Sequence, residues 1–260
     1  SLFRALSSIA SISSGASIGK EGPMVQLSAL VGSLMGRFCF KNLPLKNTDV
    51  VAMAAAAGLS SVYHAPLASA IFVAEIAFGI SALQRLIPLI ISAGVAVLTM
   101  SALGYRSAIY PFAHAQFALT PENMLLTVLI GLLAGLAGWT LIWLIAQSRK
   151  RFSRVKSLPL RLGLGGVMVG LLAIGSTKVL GNGYEVIVEI MAGSFMLKGL
   201  IALLLLKMLA TAISVGSNAV GGLFTPSLLT GALLGVVVAS LAALAGLPVD
   251  NVVIFAAVGM

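Results

Sequence analysis

Apolar residues run through this chain in stretches long enough to cross a bilayer, and short polar or glycine-rich breaks separate them. A membrane-spanning α-helix needs about 20 such residues. The pattern predicts about eight to ten helices, some of them too short to span. The clearest are expected at residues 23–40, 50–63, 67–78, 84–103, 123–145, 160–174 and 197–215.

Composition indicates an integral membrane protein. Hydrophobic residues make up 59% of the 260 and charged residues 9%, against roughly 25% charged in soluble domains. The net charge of +9 does not indicate nucleic-acid binding, because the basic residues gather between apolar runs, as in cytoplasmic loops. These clusters contain Arg37, Lys41, Lys46, Arg149, Lys150, Arg151, Arg154, Lys156 and Arg161. The segment with Arg106 and His114 is expected on the outside, and the single Cys39 excludes an internal disulfide.

A glycine-rich turn, Gly19-Lys-Glu-Gly-Pro23, leads into the first of these helices. Pro23 suits a first helical turn, because its φ is already helical and the N–H that it lacks would have no partner there. Gly19 and Gly22 let the backbone turn tightly and approach a ligand. Free N–H groups and the positive end of the helix dipole favour an anion. The turn predicts an anion site within the membrane, with an ordinary helix N-terminus as the alternative.

A second turn, Gly222-Leu-Phe-Thr-Pro226, indicates a weak internal repeat. Aligning Pro226 with Pro23 pairs Gly235 with Gly32. Repeats in membrane transporters place the substrate site near the midplane, where half-helices of both copies meet. We therefore expect the two turns to converge on one anion.

Two charged residues of the first turn suggest an entrance and a gate. Lys20 adds positive charge near the entrance, or extends to the membrane interface. Glu21 places a carboxylate where an anion would bind, so it can act as a tethered plug that leaves on protonation. Alternatively, Glu21 only stabilises the helix dipole. Neutral backbone donors hold a small anion without trapping it, as conduction requires.

The other acids and the histidines give weaker signals. Glu75, within an apolar run, is interpreted either as a proton relay or as a buried, hydrogen-bonded structural acid. Glu185 and Glu189 are expected in a solvated loop, and His64 and His114 lack metal-ligand spacing. The sequence contains no nucleophile–base pattern and no phosphate-binding loop. It therefore predicts neither an enzyme nor a cofactor.

Three motifs in order resemble the CLC family of chloride channels and proton-coupled chloride exchangers, especially its bacterial members. They are Gly19-Lys-Glu-Gly-Pro23, like the family's G-[K/R]-E-G-P; Gly222-Leu-Phe-Thr-Pro226, like its G-x-F-x-P; and Ala65-Pro-Leu-Ala68 followed by Glu75. The resemblance implies an all-α, polytopic membrane protein, an inverted-repeat helical bundle with broken and tilted helices. Residues 1–115 would hold the C-terminal part of the first repeat, and residues 116–260 the N-terminal part of the second.

The same resemblance implies roles for single residues. Chloride would be coordinated by backbone amides around Gly19, Lys20, Gly22, Leu223, Phe224 and Thr225, with Pro23, Gly222 and Pro226 supporting the turns. Glu21 would be the gating glutamate. The resemblance also implies a homodimer with one anion pathway per subunit, and we expect it in a bacterial inner membrane with lipid, chloride and protons as its partners.

The sequence departs from the family in two respects. The family's G-S-G-x-P stretch and its C-terminal tyrosine are not in the sequence, so we expect a truncated chain that is inactive alone. The exchangers' internal glutamate falls at Ile76, so either Glu75 replaces it or proton coupling is weak. We expect chloride transport gated by Glu21, with passive conduction slightly favoured and proton antiport through Glu75 as the alternative. A membrane-embedded binder or enzyme for a phosphorylated or anionic substrate is the alternative from another class.

Overall fold

The computed structural model describes residues 2–39, 46–105, 119–192, 196–249 and 251–260. Within these ranges it contains eleven α-helices, slightly more than the sequence led us to expect. They are α1 (Leu2–Ser13), α2 (Glu21–Phe38), α3 (Asn47–Tyr63), α4 (Pro66–Phe78), α5 (Leu86–Ala102), α6 (Pro121–Phe152), α7 (Leu158–Gly175), α8 (Tyr184–Met191), α9 (Leu197–Gly216), α10 (Phe224–Leu244) and α11 (Ile254–Gly259). The predicted all-α class is confirmed. Lys41, Arg106, His114 and the expected boundary between residues 115 and 116 lie outside the described ranges.

Five helical segments in the described ranges are long and apolar enough to cross a membrane. They are Leu83–Ala102, Pro121–Phe152, Leu158–Gly175, Leu197–Gly216 and Phe224–Leu244. The helix α6 extends beyond the predicted residue 145, and its last turn carries the basic residues Arg149, Lys150 and Arg151. Positive charge at a helix C-terminus is favourable because it faces the negative end of the dipole.

The helix α8 corrects the prediction that Glu185 and Glu189 lie in a loop. Both glutamates are exposed, but they lie on a short helix whose opposite face is buried. That buried face consists of Val186, Ile187 and Ile190. Apolar residues three and four positions apart form one face of a helix, and this spacing is the signal that the glycine-rich flanks obscured.

The described residues fall into two compact units. Unit 1 comprises Ser1–Ser7 and Glu21–Ile109, and its core is formed by α2, α3, α4 and α5, with α3 packed against the other three. Alanine dominates this core, which includes Ala52, Ala55, Ala56, Ala70, Ala74 and Ala93. Small side chains let helix backbones approach closely, which is how helices associate within a bilayer.

Unit 2 comprises Ser8–Lys20 and Tyr110–Met260. The helix α9 packs against α6, α7 and α10, and α10 packs against α11. The main core cluster of this unit is built from larger aliphatic side chains, among them Val179, Ile187, Leu229 and Leu233. Residues 8–20, which include Gly19 and Lys20 of the first turn, therefore belong to the same unit as the second turn.

Equivalent backbone geometry ends the helices that precede the two turns. Gly15 after α1 has φ 89° and Asn218 after α9 has φ 71°. The N–H that follows each of these residues bonds to the carbonyl five positions earlier, which is the Schellman pattern of a helix C-terminus. Gly15 and Asn218 correspond under the alignment that pairs Pro23 with Pro226. The two helix ends therefore share the same local backbone geometry at aligned positions.

Candidate functional site

The two glycine-rich turns are hydrogen-bonded to each other. The N–H of Gly19 donates to the carbonyl of Gly222 at 2.6 Å, and the N–H of Gly222 donates to the carbonyl of Gly19 at 2.7 Å. They form an antiparallel bridge between residues that are equivalent in the repeat. The helices α2 and α10 each begin two residues later, at Glu21 and Phe224. The bridge therefore joins the segments that lead into both helix starts.

Buried hydroxyl groups fix the first turn to α9. Ser17 is fully buried, its N–H donates to Ser214 Oγ at 3.0 Å, and its own Oγ lies 3.0 Å from Thr211 Oγ1. The next residue, Ile18, is also fully buried, and a Cβ added to Gly221 would lie 2.8 Å from Ile18 Cβ. Only glycine at position 221 allows this close approach.

Both helices that follow the turns have proline as their third residue. Pro23 and Pro226 are buried, as is Thr225, while Leu223 is 38% exposed. Proline supplies no N–H, but the other N–H groups of a first turn have no partner within the helix and lie at the positive end of its dipole. Each start can therefore stabilise a negative charge through neutral groups.

Lys20 lies beside Tyr184, the first residue of α8. Its side chain is exposed, and Nζ lies 6.0 Å from the centroid of the Tyr184 ring on α8. This distance is at the outer limit of a cation–π contact. Lys20 Nζ therefore lies near the Tyr184 ring at the start of α8.

Glu21 is the buried acid of the site. It is the first residue of α2 and only 4% exposed, and Tyr63 Oη donates to its Oε1 at 2.8 Å. Gly22 beside it is half-buried. Sequence reasoning missed Tyr63, although its position at the end of a helix, next to the break at His64, could have indicated it.

Glu75 is not the buried structural acid that one interpretation required. It is exposed on α4 and lies outside the buried face of that helix. That face consists of Ser69, Ala70, Val73 and Ala74. These residues share one side of the helix because they are spaced three to five positions apart, and Glu75 falls beside Ile76 on the other side.

A second buried charge, Lys207, was not given a role from the sequence. It is fully buried in α9, and Nζ donates to the carbonyls of Val179 at 3.0 Å and Gly181 at 2.8 Å. Both carbonyls lie in the segment that precedes α8. An isolated lysine in an apolar span itself indicates a buried polar contact, because an unpaired charge at that depth is costly.

Five helices of the described ranges that are apolar and long enough to span a membrane define a polytopic membrane protein, and its two glycine-rich turns are hydrogen-bonded through Gly19 and Gly222. A family model described as "Voltage gated chloride channel" matches residues 1–260. The chain belongs to this family, which is the CLC family that the motifs resembled. Family membership and the five apolar spans confirm the predicted location in a membrane.

Curated relatives support the assignment. The chain is 46% identical over 242 residues to a "Putative chloride channel protein ClcB-like" of Ralstonia nicotianae, and 39% identical over 236 residues to the "Voltage-gated ClC-type chloride channel ClcB" of Citrobacter koseri. Each match covers 90% of this chain and 56% of the relative. The chain thus spans somewhat more than half the length of these relatives.

Solved structures share the fold. A "slow cyanobacterial Cl-/H+ antiporter" matches with a TM-score of 0.80 at 23% identity, over 96% of this chain and 59% of that one. A "CLC-type fluoride/proton antiporter" matches with a TM-score of 0.78 at 26% identity, over 94% of this chain and 60% of that one. The CLC-type helical architecture expected from the motifs is therefore confirmed.

Proposed function

We propose that the protein transports chloride across a membrane, through a pathway that uses the paired turns as its anion site. The observation that carries the proposal is the reciprocal hydrogen bonding of Gly19 and Gly222. It holds together the segments leading into two helix starts that occupy equivalent positions in the repeat. Relatives that are named chloride channels support chloride as the ion.

The chemistry of the turns suits conduction. A helix N-terminus stabilises a nearby negative charge by about 0.3–2 kcal/mol, depending on burial. Two such ends favour an anion, yet they contribute dipoles and N–H groups instead of full charges, so the ion can leave again. We assign this role to the backbone around Gly19, Lys20 and Gly22, and around Leu223, Phe224 and Thr225.

We assign the gate to Glu21. Its carboxylate directly follows Lys20, at the first position of a helix whose start attracts negative charge. A tethered anion at this position competes with a free one, and protonation removes the competition. Its burial supports the assignment, because a first-turn glutamate that served only the dipole could lie in solvent.

The test uses the protein at its full natural length, reconstituted in liposomes. Glu21→Gln removes the charge and keeps the shape, so we expect chloride efflux at neutral pH to rise severalfold and to lose most of its dependence on pH. Glu122→Gln is a matched control, because Glu122 is also a first-turn acid, on α6. Efflux that is the same as wild type across the pH range in Glu21→Gln would remove the gating role.

Chloride could cross by passive conduction or by antiport with protons, and different observations favour each of these two modes. Passive conduction is favoured by the channel names of the relatives and by Ile76 at the position of the exchangers' internal glutamate. Antiport is favoured at least as strongly by the solved proton antiporters that share the fold, with Glu75 as the candidate relay. Proton uptake driven by a chloride gradient distinguishes the two modes, and its loss in Glu75→Gln, but not in Glu185→Gln, assigns the relay.

The family resemblance further suggests a homodimer. The mass of the purified protein in detergent tests this.

A further inference from the structure

We propose that Tyr63 is a positioning residue for the gate: its hydroxyl holds the Glu21 carboxylate at the start of α2 and so sets how readily that carboxylate leaves. This inference rests on the proposed gating role of Glu21. It adds a residue that lies far from both turn motifs in the sequence.

The contact itself is short and enclosed. Tyr63 Oη donates to Glu21 Oε1 at 2.8 Å, Glu21 is 4% exposed and Tyr63 is half-buried. A hydrogen bond to an ionised acceptor is roughly twice as strong as one between neutral groups. Limited access of water removes the competing donors that would weaken it at a surface. The tyrosine therefore holds the Glu21 carboxylate at the start of α2.

The donor is fixed by the end of its helix. Tyr63 is the last residue of α3, and His64 follows it with φ 51°, a left-handed conformation that is uncommon outside glycine. The N–H of His64 bonds to the carbonyl of Ser60 at 2.9 Å, which closes the helix at this point. The backbone of Tyr63 is thus held by a completed helical turn, and a tyrosine ring adds only two rotatable bonds.

The acceptor is fixed against the donor by the packing of α2 on α3. A side chain at Gly58 of α3 would overlap Ser28 of α2, so the two helices are in close contact one turn and a half before Tyr63. Ser28 Oγ in turn donates to the carbonyl of Met24, in the first turns of α2. Both groups of the hydrogen bond therefore project from helix ends that are packed together.

Release of Glu21 then requires this hydrogen bond to break. Removing the hydroxyl while keeping the ring lowers the free energy needed for departure, so the gate should open more often at a pH where Glu21 is charged. Loss of one hydrogen bond to a charged group is expected to raise chloride efflux at neutral pH by about tenfold. An effect transmitted through Glu21 must vanish when Glu21 no longer carries a charge.

A double-mutant cycle tests this, with the protein at its full natural length in liposomes. We expect Tyr63→Phe to raise chloride efflux at neutral pH in the wild-type background and to leave efflux unchanged in the Glu21→Gln background. Tyr105→Phe, at an exposed tyrosine of the same unit, should change neither. Thermal unfolding of Tyr63→Phe establishes that the variant is folded.

The outcomes separate this inference from the proposed function. If Glu21→Gln alters efflux but Tyr63→Phe does not, the positioning role is overturned and the gate stands. If Tyr63→Phe raises efflux equally in both backgrounds, the tyrosine acts on the pathway by another route and the inference is again overturned. If Glu21→Gln itself has no effect, the gate fails and this inference fails with it.

Discussion

Lys207 is a buried lysine whose hydrogen bonds connect α9 to the segment before α8. Its Nζ is the donor for two carbonyls, those of Val179 and Gly181, and the whole residue is inaccessible to solvent. Lys207→Met keeps the apolar stem and removes the donor. Leaving these carbonyls, of which that of Val179 is buried, without their donor should lower the free energy of unfolding by about 1–3 kcal/mol, measured by denaturant unfolding in detergent.

Lys198→Met is the control for Lys207, because it makes the same chemical change in the same helix at an exposed position. A surface substitution of this kind should change stability by less than about 0.5 kcal/mol. Equal effects of the two substitutions would show that the carbonyl contacts of Lys207 add nothing to stability.

Single residues also mark the limit of sequence reasoning. The turn residues, including Glu21, could be predicted because the effects of glycine, proline and an acid at a helix start depend on the local backbone. The hydrogen-bond partners of Glu21 and Lys207 could not be predicted in this way. Tyr63 is 42 residues from Glu21, and Val179 is 28 residues from Lys207, so these contacts exist only after helices have packed.

At the scale of elements, α9 holds the first turn in place through side-chain hydroxyls. Ser214→Ala removes the acceptor of the Ser17 N–H, and both residues are buried. An unsatisfied buried N–H costs about 1–3 kcal/mol, so we expect a loss of stability of this size by thermal unfolding. We also expect chloride efflux to fall, since the segment that carries Gly19 loses one of its attachments.

Ser153→Ala provides the comparison for Ser214→Ala, because Ser153 is exposed just after α6 and its Oγ donates to the carbonyl of Lys150 in the preceding turn. Its removal should leave stability and efflux near wild type. If Ser214→Ala behaves in the same way, the attachment of the first turn does not depend on this hydrogen bond.

The sequence predicts helices well where the apolar stretch is long and poorly where it is short. The spans near residues 123–145 and 197–215 are predicted because about 20 predominantly apolar residues indicate a membrane-spanning helix. The sequence predicts a loop over the eight residues of α8, because glycines flank them and the apolar pattern covers only two helical turns. Whether Glu75 faces the core could not be predicted, because large apolar residues lie around α4 on every side and indicate no single buried face.

At the scale of the whole molecule, the internal repeat makes a prediction about helix crossings. Gly32 of α2 and Gly235 of α10 are equivalent, and each lies where its helix meets the next one within its own unit. A Cβ at Gly32 would overlap Ala54 and lie 3.1 Å from the carbonyl oxygen of Val50. A Cβ at Gly235 would overlap the carbonyl of Phe255 and lie 3.3 Å from the Cα of Gly259.

We expect Gly32→Ala and Gly235→Ala to destabilise the protein by about 1–3 kcal/mol each, as overpacking does. Gly94→Ala and Gly131→Ala, in helices of units 1 and 2 with open space at the added carbon, should be neutral or stabilising by about 0.4–1 kcal/mol, because alanine restricts the unfolded chain. Denaturant unfolding of the four variants measures this. If the repeat preserves the helix crossings as well as the turns, both Gly32→Ala and Gly235→Ala must be less stable than their control variants. If only one of them is less stable, the equivalence is limited to the first turns of α2 and α10.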